Sequence, residues 1–127
     1  MTRLQRKIDK KLAKWKNDPD HLPLIVKGAR QIGKTEAITC FAKSNYQHVV
    51  TINFALEKQF LDIFSQGYEV DSILQAITLK APYLEIEPGN TLIFFDEIQA
   101  CPDCATSLKS FQLDGRFDVI CSGSLMG

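Results

Sequence analysis

Residues 28–35 of the chain read Gly28-Ala29-Arg30-Gln31-Ile32-Gly33-Lys34-Thr35. It matches the pattern GxxxxGK[ST] at every fixed position. A short apolar run at residues 22–26 precedes it and is typical of a buried strand. An amphipathic run at residues 34–43 follows it and predicts a helix. Because the motif lies between a strand and a helix, it indicates a phosphate-binding loop rather than a chance glycine turn.

The residue types in this loop suit an anion. Glycines let the backbone curl so that successive N–H groups face one centre, and the start of the following helix adds a partial positive charge. Lys34 can reach the β- and γ-phosphates of a nucleotide, and the Thr35 hydroxyl can ligate Mg²⁺. We therefore expect residues 28–35 to bind a nucleotide, with Arg30 directed at phosphate, at a partner or into solvent.

A second motif begins with four apolar residues, Leu92-Ile93-Phe94-Phe95, and ends in Asp96 and Glu97. An apolar strand followed by an aspartate is typical of a Walker B strand, so Asp96 is predicted to hold Mg²⁺ and Glu97 to act as general base on the attacking water. Two acids at a strand end are also common on ordinary sheets. Their combination with the loop favours the functional interpretation.

The spacing between the two motifs narrows the class of protein. Asp96 follows Lys34 by 62 residues, which leaves room for a complete strand and its helices between them. That arrangement, with a glutamate beside the aspartate, indicates the division of phosphate-loop proteins that uses a glutamate for hydrolysis. GTPases carry DxxG and NKxD, whereas position 99 is glutamine and NKxD is absent from the sequence. A small-molecule kinase would leave Glu97 without a role.

The rest of the chain predicts an α/β domain over residues 1–127 with a largely parallel sheet. Further strands are expected at residues 48–54, 91–95 and 117–121. A helix is expected from Leu56 to Phe64, another is capped by Asp71 and ends before Pro82, and a short one holds Leu108 and Phe111.

The N-terminal segment is strongly basic although the whole chain has zero net charge. Residues 1–16 carry seven basic residues and one acidic residue, so the remaining residues carry a net charge of −6. Leu4, Ile8, Leu12 and Trp15 form one apolar helical stripe within this segment. We expect a basic amphipathic helix whose charged side faces solvent, with contact to nucleic acid as the alternative.

The Cys101-Pro-Asp-Cys104 pattern can chelate zinc or carry out redox chemistry. The sequence has only two histidines and no second CxxC, so a turn and helix start is the favoured interpretation. No apolar run is long enough to span a membrane, and no secretory signal begins the chain, so the expected location is the cytoplasm.

Several segments, taken together, resemble a widespread family of prokaryotic AAA+ ATP-binding proteins, whose members usually carry a C-terminal domain of unknown function. The matching segments are residues 28–35, Ile52-Asn53-Phe54, Leu92–Gln99 (LIFFDEIQ), Ser107-Leu108-Lys109 and Val119–Ser124 (VICSGS). The resemblance implies a three-layer α/β/α fold with sheet order 5-1-4-3-2, and ATP and Mg²⁺ as ligands. It also implies phosphate and metal binding by Lys34 and Thr35, a Walker B pair at Asp96 and Glu97, and a sensor at Ser122 or Ser124.

Members of that family continue past the SGS turn, so the expected domain here has four strands and lacks the fifth strand and the lid. We expect an ATPase core that hydrolyses ATP poorly by itself, with the missing C-terminal domain and further copies of the chain as partners. Arg116 is a candidate arginine finger in trans or a surface ion pair. Two other functions remain open: a nucleotide-binding switch or inert fragment, and a helicase-like motor whose basic helix contacts nucleic acid.

Overall fold

The computed structural model describes residues 3–28 and 33–124, in which helices alternate with strands. The helices are α1 (Arg3–Asn17), α2 (Lys34–Asn45), α3 (Val70–Lys80) and α4 (Pro102–Asp114), and the strands are β1 (Leu24–Gly28), β2 (His48–Asn53), β3 (Thr91–Asp96) and β4 (Asp118–Ser124). Single turns of 3₁₀ helix lie at Lys58–Phe60 and Ile98–Ala100. The helices and strands therefore lie where the sequence pattern predicted them, with one exception between β2 and α3.

The described strands form one parallel sheet in the order β1-β4-β3-β2. This order agrees with the one that the family resemblance implied for these four strands. The register pairs Gly28 with Ser124 and Asn53 with Asp96. Because all the strands run in the same direction, the ends of β1, β3 and β4 meet at one edge of the sheet. Both sequence motifs lie at that edge.

Helices cover both faces of the sheet, which confirms the predicted three-layer arrangement. On one face α1 and α2 contribute Leu12 and Ile38 to a core that contains Phe94 of β3. On the other face α3 and α4 contribute Ile73 and Phe111 to a larger core. Every residue of β3 is buried, as expected of a central strand with apolar layers on both sides.

The predicted helix from Leu56 to Phe64 is wrong. The segment consists of one 3₁₀ turn and successive tight turns that reach Gly67, closed by bonds between residues three apart. The Asn53 side chain accepts hydrogen bonds from the backbone N–H groups of Ala55 and Leu56, which closes a turn where the helix was expected. Phe60 and Phe64 are still buried. Their helical spacing reflects core packing of turns rather than an α-helix.

Two details of the other helices also differ from prediction. Asp71 does not cap α3, because Glu69 occupies the N-cap position and caps without a side-chain hydrogen bond. Asp71 lies in the first turn, and its carboxylate pairs with Arg116 at 2.6 Å. Helix α4 is longer than predicted and ends at Asp114, followed by the C-cap residue Gly115, whose φ of 75° suits glycine.

The N-terminal helix has the amphipathic character that the sequence predicted. Ile8 and Leu12 are buried against α2, and the indole of Trp15 donates a hydrogen bond to the Leu22 carbonyl at 2.6 Å. The exposed side carries basic residues, namely Arg6, Lys7, Lys10, Lys11 and Lys14. Across residues 3–28 and 33–124, no helix has the length and apolarity needed to cross a membrane.

Candidate functional site

The loop motif begins at the end of β1 and leads directly into α2. Gly33 has a φ of 107°, a backbone conformation that favours glycine, and its carbonyl accepts the first helical hydrogen bond from Ala37 N at 2.8 Å. Lys34 is the first residue of α2. The predicted phosphate-binding residues Ala29, Arg30, Gln31 and Ile32 lie outside the described residues. The helix N-terminus therefore faces the edge of the sheet where the motifs meet, as an anion site requires.

The hydroxyl of Thr35 contacts the carboxylate of Asp96. Thr35 Oγ1 donates a hydrogen bond to Asp96 Oδ2 at 2.9 Å, and the backbone N–H of Glu97 donates to Asp96 Oδ1 at 2.9 Å. Asp96 is buried, whereas Thr35 is exposed. The first turn of α2 and the end of β3 thus bring the two predicted metal ligands together.

Burial dominates the electrostatics of Asp96 and raises the pKa of its carboxyl group. The hydrogen bonds from Thr35 and Glu97 N, together with the charge of Lys34, act in the opposite direction but do not outweigh burial. A divalent cation would stabilise the ionised form of such a group. Hydroxyl and carboxylate oxygens are ligands that suit Mg²⁺, which is held by few protein groups and completes its shell with water and phosphate oxygens.

The side chain of Lys34 turns back toward the sheet. Lys34 Nζ donates a hydrogen bond to the carbonyl of Gly123 at 3.0 Å, and the residue is 7% exposed. Gly123 lies near the end of β4, in the strand that separates β1 from β3. The ammonium group is therefore positioned at the carboxyl ends of the strands, where its charge acts on the carboxyl group of Asp96.

Glu97 has an unusual backbone conformation. Its φ is 56°, and among residues 3–28 and 33–124 no other residue except glycine has a positive φ. Such residues are uncommon and cluster at functional sites. The left-handed conformation turns the chain sharply into the Ile98–Ala100 turn, where the Gln99 side-chain amide donates a hydrogen bond to Glu97 Oε2 at 2.6 Å.

The two serines of the predicted sensor region differ in what the structure describes. Ser122 is fully buried on β4, and its hydroxyl lacks a hydrogen-bond partner among the described residues. It lies one residue beyond the Phe95–Cys121 pair and is therefore beside Asp96 on the neighbouring strand. Ser124 pairs through its backbone with Gly28, and its side chain lies outside the description. Both serines thus lie at the edge of the sheet where the two sequence motifs meet.

The CxxC pair lies inside the protein rather than at this edge. Cys101 and Cys104 are buried with free thiols at the start of α4. Contact with the Cys121 thiol, followed by burial, raises the pKa of Cys104, and burial raises the pKa of Cys101. A raised pKa disfavours the thiolate that redox and metal chemistry need. Over the described part of the chain, no cluster of three or more His, Cys, Asp or Glu side chains could hold a metal ion.

Arg116 is held in an ion-pair network. Its guanidinium group contacts Asp114 at 2.8 Å and Asp71 at 2.6 Å. It precedes β4, so it lies at the edge of the sheet opposite the loop motif. Of the two alternatives that the sequence allowed for Arg116, an arginine finger and a surface ion pair, this placement corresponds to the surface ion pair.

Sequence reasoning assigned no role to three residues that the structure brings to the site. Asn53 ends β2 directly beside Asp96, and Gln99 and Gly123 contact Glu97 and Lys34, respectively. Gln99 and Gly123 belong to the quoted segments LIFFDEIQ and VICSGS, and Asn53 belongs to Ile52-Asn53-Phe54. Their presence in segments that resemble the family was the one sign in the sequence that these residues belong to the site. Which residue each of them contacts follows only from the pairing of the strand ends in the structure.

Comparison with known proteins identifies similar sequences and folds. A family model described as an AAA domain matches residues 20–127. No curated protein matches the chain. The structure of C. elegans PCH-2 is 18% identical over 98% of this chain and 35% of that chain, with a TM-score of 0.48. A crystal structure of a DNA replication initiation factor is 12% identical over 93% of this chain and 36% of that chain, with a TM-score of 0.48. The chain thus spans about a third of the length of each of these solved structures.

Proposed function

The chain belongs to the AAA domain family, whose members bind nucleotide, and we propose that it binds ATP with Mg²⁺ where β1, α2 and β3 meet and hydrolyses the terminal phosphate. The observation that carries this proposal is the 2.9 Å hydrogen bond from Thr35 Oγ1 to Asp96 Oδ2. If the two sequence motifs had matched their patterns by chance, we would not expect these two side chains to be in contact. Their contact supports a shared metal site, because it brings a hydroxyl and a carboxylate oxygen within reach of one ion.

Thr35 and Asp96 would hold the metal ion. When bound, Mg²⁺ would neutralise charge on the β- and γ-phosphate oxygens as the terminal phosphate departs. The buried carboxylate of Asp96 suits this role because its ionised form needs a compensating charge. The hydrogen bond between Thr35 and Asp96 keeps both oxygens oriented toward the same point.

The remaining residues would bind and orient the nucleotide. The backbone N–H groups of residues 28–33 and the start of α2 would face the phosphates. Lys34 would exchange its hydrogen bond with the Gly123 carbonyl for a charge-assisted one to a phosphate oxygen. Glu97 would accept a proton from the attacking water, and a hydroxyl from Ser122 or Ser124 would help to position that water or contact the γ-phosphate.

We also propose that efficient hydrolysis depends on partners. A basic side chain from a neighbouring copy would stabilise charge on the departing phosphate, and such an arginine is worth about 10³–10⁵ in rate. Arg116 is engaged by Asp71 and Asp114, which argues against it in that role. The chain alone is therefore expected to bind ATP and to hydrolyse it slowly.

The test measures ATP affinity and ATP turnover separately on the full chain. Lys34→Ala should weaken ATP binding roughly 10–100-fold because a charge-assisted contact is lost. Glu97→Gln should retain ATP affinity and lower turnover about 10²–10⁴-fold, the usual contribution of a general base. Lys43→Ala and Glu69→Gln are matched controls at exposed positions on α2 and at the start of α3.

The outcomes separate the competing functions. Unchanged ATP affinity in Lys34→Ala would contradict the proposed site. Binding without turnover in the unmodified chain, even at high protein concentration, would replace hydrolysis with a nucleotide-binding switch. Turnover that Glu97→Gln leaves intact would remove the proposed general base.

A further inference from the structure

Gln99 lies between the ends of β3 and β4, in the single turn that follows Glu97. Its Nε2 is 2.6 Å from Glu97 Oε2. An ionised carboxylate only accepts hydrogen bonds, so the amide nitrogen faces Glu97 and the amide oxygen Oε1 faces the other way, toward β4. The glutamine side chain therefore spans the gap between the two strand ends.

Gly123 is the residue on β4 that faces Gln99 Oε1. A Cβ atom at position 123 would lie 2.9 Å from Gln99 Oε1 and 3.1 Å from Ile98 Cγ1. Gly123 is absent from the glycines with positive φ, so its backbone does not demand glycine. A larger residue at position 123 would therefore displace the glutamine amide, which is the end of a flexible side chain.

The backbone fixes the separation between Gln99 and Glu97. The positive φ of Glu97 turns the chain, and hydrogen bonds from Ala100 N to Glu97 O at 3.1 Å and from Cys101 N to Ile98 O at 2.9 Å close the turn. In an extended strand, side chains two residues apart share a face but lie about 7 Å apart along the strand. Here the turn returns the Gln99 side chain to the carboxylate of Glu97.

We propose that Gln99 is a positioning residue for Glu97 and that Gly123 is the glycine whose missing side chain admits it. This inference rests on the proposed hydrolytic role of Glu97. The amide donates to one carboxylate oxygen of Glu97 and so restrains its rotamer. A carboxylate has about four lone-pair sites, so this hydrogen bond does not prevent it from accepting the proton of a water. A carboxylate held in one orientation satisfies the geometric demand on a general base.

The same glycine also contacts the lysine of the phosphate loop. The Gly123 carbonyl accepts the hydrogen bond from Lys34 Nζ at 3.0 Å, while the Cα side of Gly123 faces Gln99. The end of β4 therefore sets the position of both the phosphate-binding cation and the proposed base. A change at position 123 should disturb Glu97 through Gln99.

The first test needs no turnover. The side-chain amide signal of Gln99 in the full chain, assigned by its loss in Gln99→Ala, is followed in a ¹H–¹⁵N spectrum. Glu97→Gln should shift this signal because the acceptor changes from a charged to a neutral oxygen, and Gly123→Ala should shift it because the amide is displaced. A Gln99 signal that moves in neither variant would overturn the proposal, whatever the turnover of the chain.

The second test separates positioning from folding and from nucleotide binding. Gln99→Ala and the shorter Gln99→Asn should each lower kcat roughly 10–100-fold while ATP affinity stays within about threefold, because only the orientation of the base is lost. Gly123→Ala should act like Gln99→Ala on kcat, and the double variant should be no worse than the slower single variant. Gln75→Ala, at an exposed site on α3, is the control.

Each outcome has one meaning. A wild-type kcat in both Gln99 variants would contradict the positioning role. Equal losses of kcat and ATP affinity would show a structural rather than a positioning effect and would also overturn it. Absence of turnover in the unmodified chain would contradict the proposed hydrolysis, and the spectrum would then decide alone whether Gln99 holds Glu97.

Discussion

Thr35 Oγ1 donates a hydrogen bond to Asp96 Oδ2 at 2.9 Å across 61 residues of sequence. Thr35 is in the first turn of α2, and Asp96 is the last residue of β3. Their contact joins the loop that is predicted to bind phosphate to the strand that is predicted to bind metal. It also places a carboxylate in a buried position, and this has a measurable consequence for stability.

Asp96→Asn should leave the protein at least as stable as the unmodified chain at neutral pH. Burial raises the pKa of Asp96 above its unfolded value, so the folded chain binds the proton more tightly than the unfolded chain. The free energy of unfolding therefore falls as pH rises from the unfolded pKa through the folded one. An asparagine removes that loss and can still accept from Glu97 N and donate to the Thr35 hydroxyl.

Urea unfolding of both proteins, without nucleotide or metal, at about pH 3.5 and about pH 7 measures this difference. The free energy of unfolding of Asp96→Asn, relative to that of the unmodified chain, should increase as pH rises. A variant that becomes relatively less stable toward neutral pH would show that the ionised Asp96 stabilises the fold, contrary to the effect of burial.

His21 should make stability fall as pH rises through neutrality. Partial burial lowers its pKa, but hydrogen bonds to Asp118 at 2.7 Å and to the Asp18 carbonyl at 2.7 Å, with the charge of Asp118, raise it above the ordinary value despite Lys16. A raised histidine pKa contributes stability that is complete below about pH 6.5 and is lost as pH passes the folded pKa.

The advantage of the unmodified chain over His21→Gln in free energy of unfolding should therefore shrink between about pH 5.5 and about pH 8.5, by about 1 kcal/mol or less for a partly exposed pair. Asp118→Asn serves as the control, because it removes the carboxylate that pairs with His21. In that background, the effect of His21→Gln on the free energy of unfolding should depend little on pH. An advantage that grows with pH would contradict the assigned direction.

The cysteines should behave as one reactive and three protected thiols. Cys40 is exposed, whereas Cys101, Cys104 and Cys121 are buried. A thiol reagent applied to the native chain should modify one thiol quickly, and Cys40→Ser should abolish that fast phase. Two or more fast thiols in the native chain would reopen a redox or metal role for the CxxC pair.

Phe95 should be among the residues on which stability most depends. It is fully buried at the centre of the sheet, stacks on Phe54 at 5.6 Å between ring centroids and meets Phe111 edge-on at 6.0 Å. Phe95→Ala should lower the free energy of unfolding by about 3–5 kcal/mol because it removes a large side chain from a packed core. Tyr83→Ala, at a side chain that is 80% exposed, should change it by about 0.5 kcal/mol or less. A similar loss in both variants would contradict the described core.

The sequence predicted the strands well because their signals are local. The apolar runs before Gly28 and Asp96 are long enough to identify buried parallel strands, and the loop pattern identified where α2 begins. The segment after β2 misled prediction because Phe60 and Phe64 have helical spacing in consecutive turns. The spacing of buried residues does not distinguish an α-helix from a series of tight turns.

The chemistry of the site was predicted by residue type, and its supporting contacts were not. Thr35 and Asp96 carry recognisable motifs, whereas the role of Gln99 depends on the positive φ of Glu97 and on the space that Gly123 leaves. These features arise from the meeting of β3 and β4, which are joined by a helix and far apart in sequence. These contacts can be identified only when the pairing register of β3 and β4 is known.

The shared metal site is tested by the Mg²⁺ dependence of ATP affinity in the unmodified chain and in Asp96→Asn, measured by titration calorimetry. If Thr35 and Asp96 share a metal, Mg²⁺ should tighten ATP binding to the unmodified chain by roughly 10–100-fold, and Asp96→Asn should lose that gain. ATP affinity that does not change with Mg²⁺ in the unmodified chain, or an Asp96→Asn variant that retains the whole effect, would show that Thr35 and Asp96 do not share a metal ion.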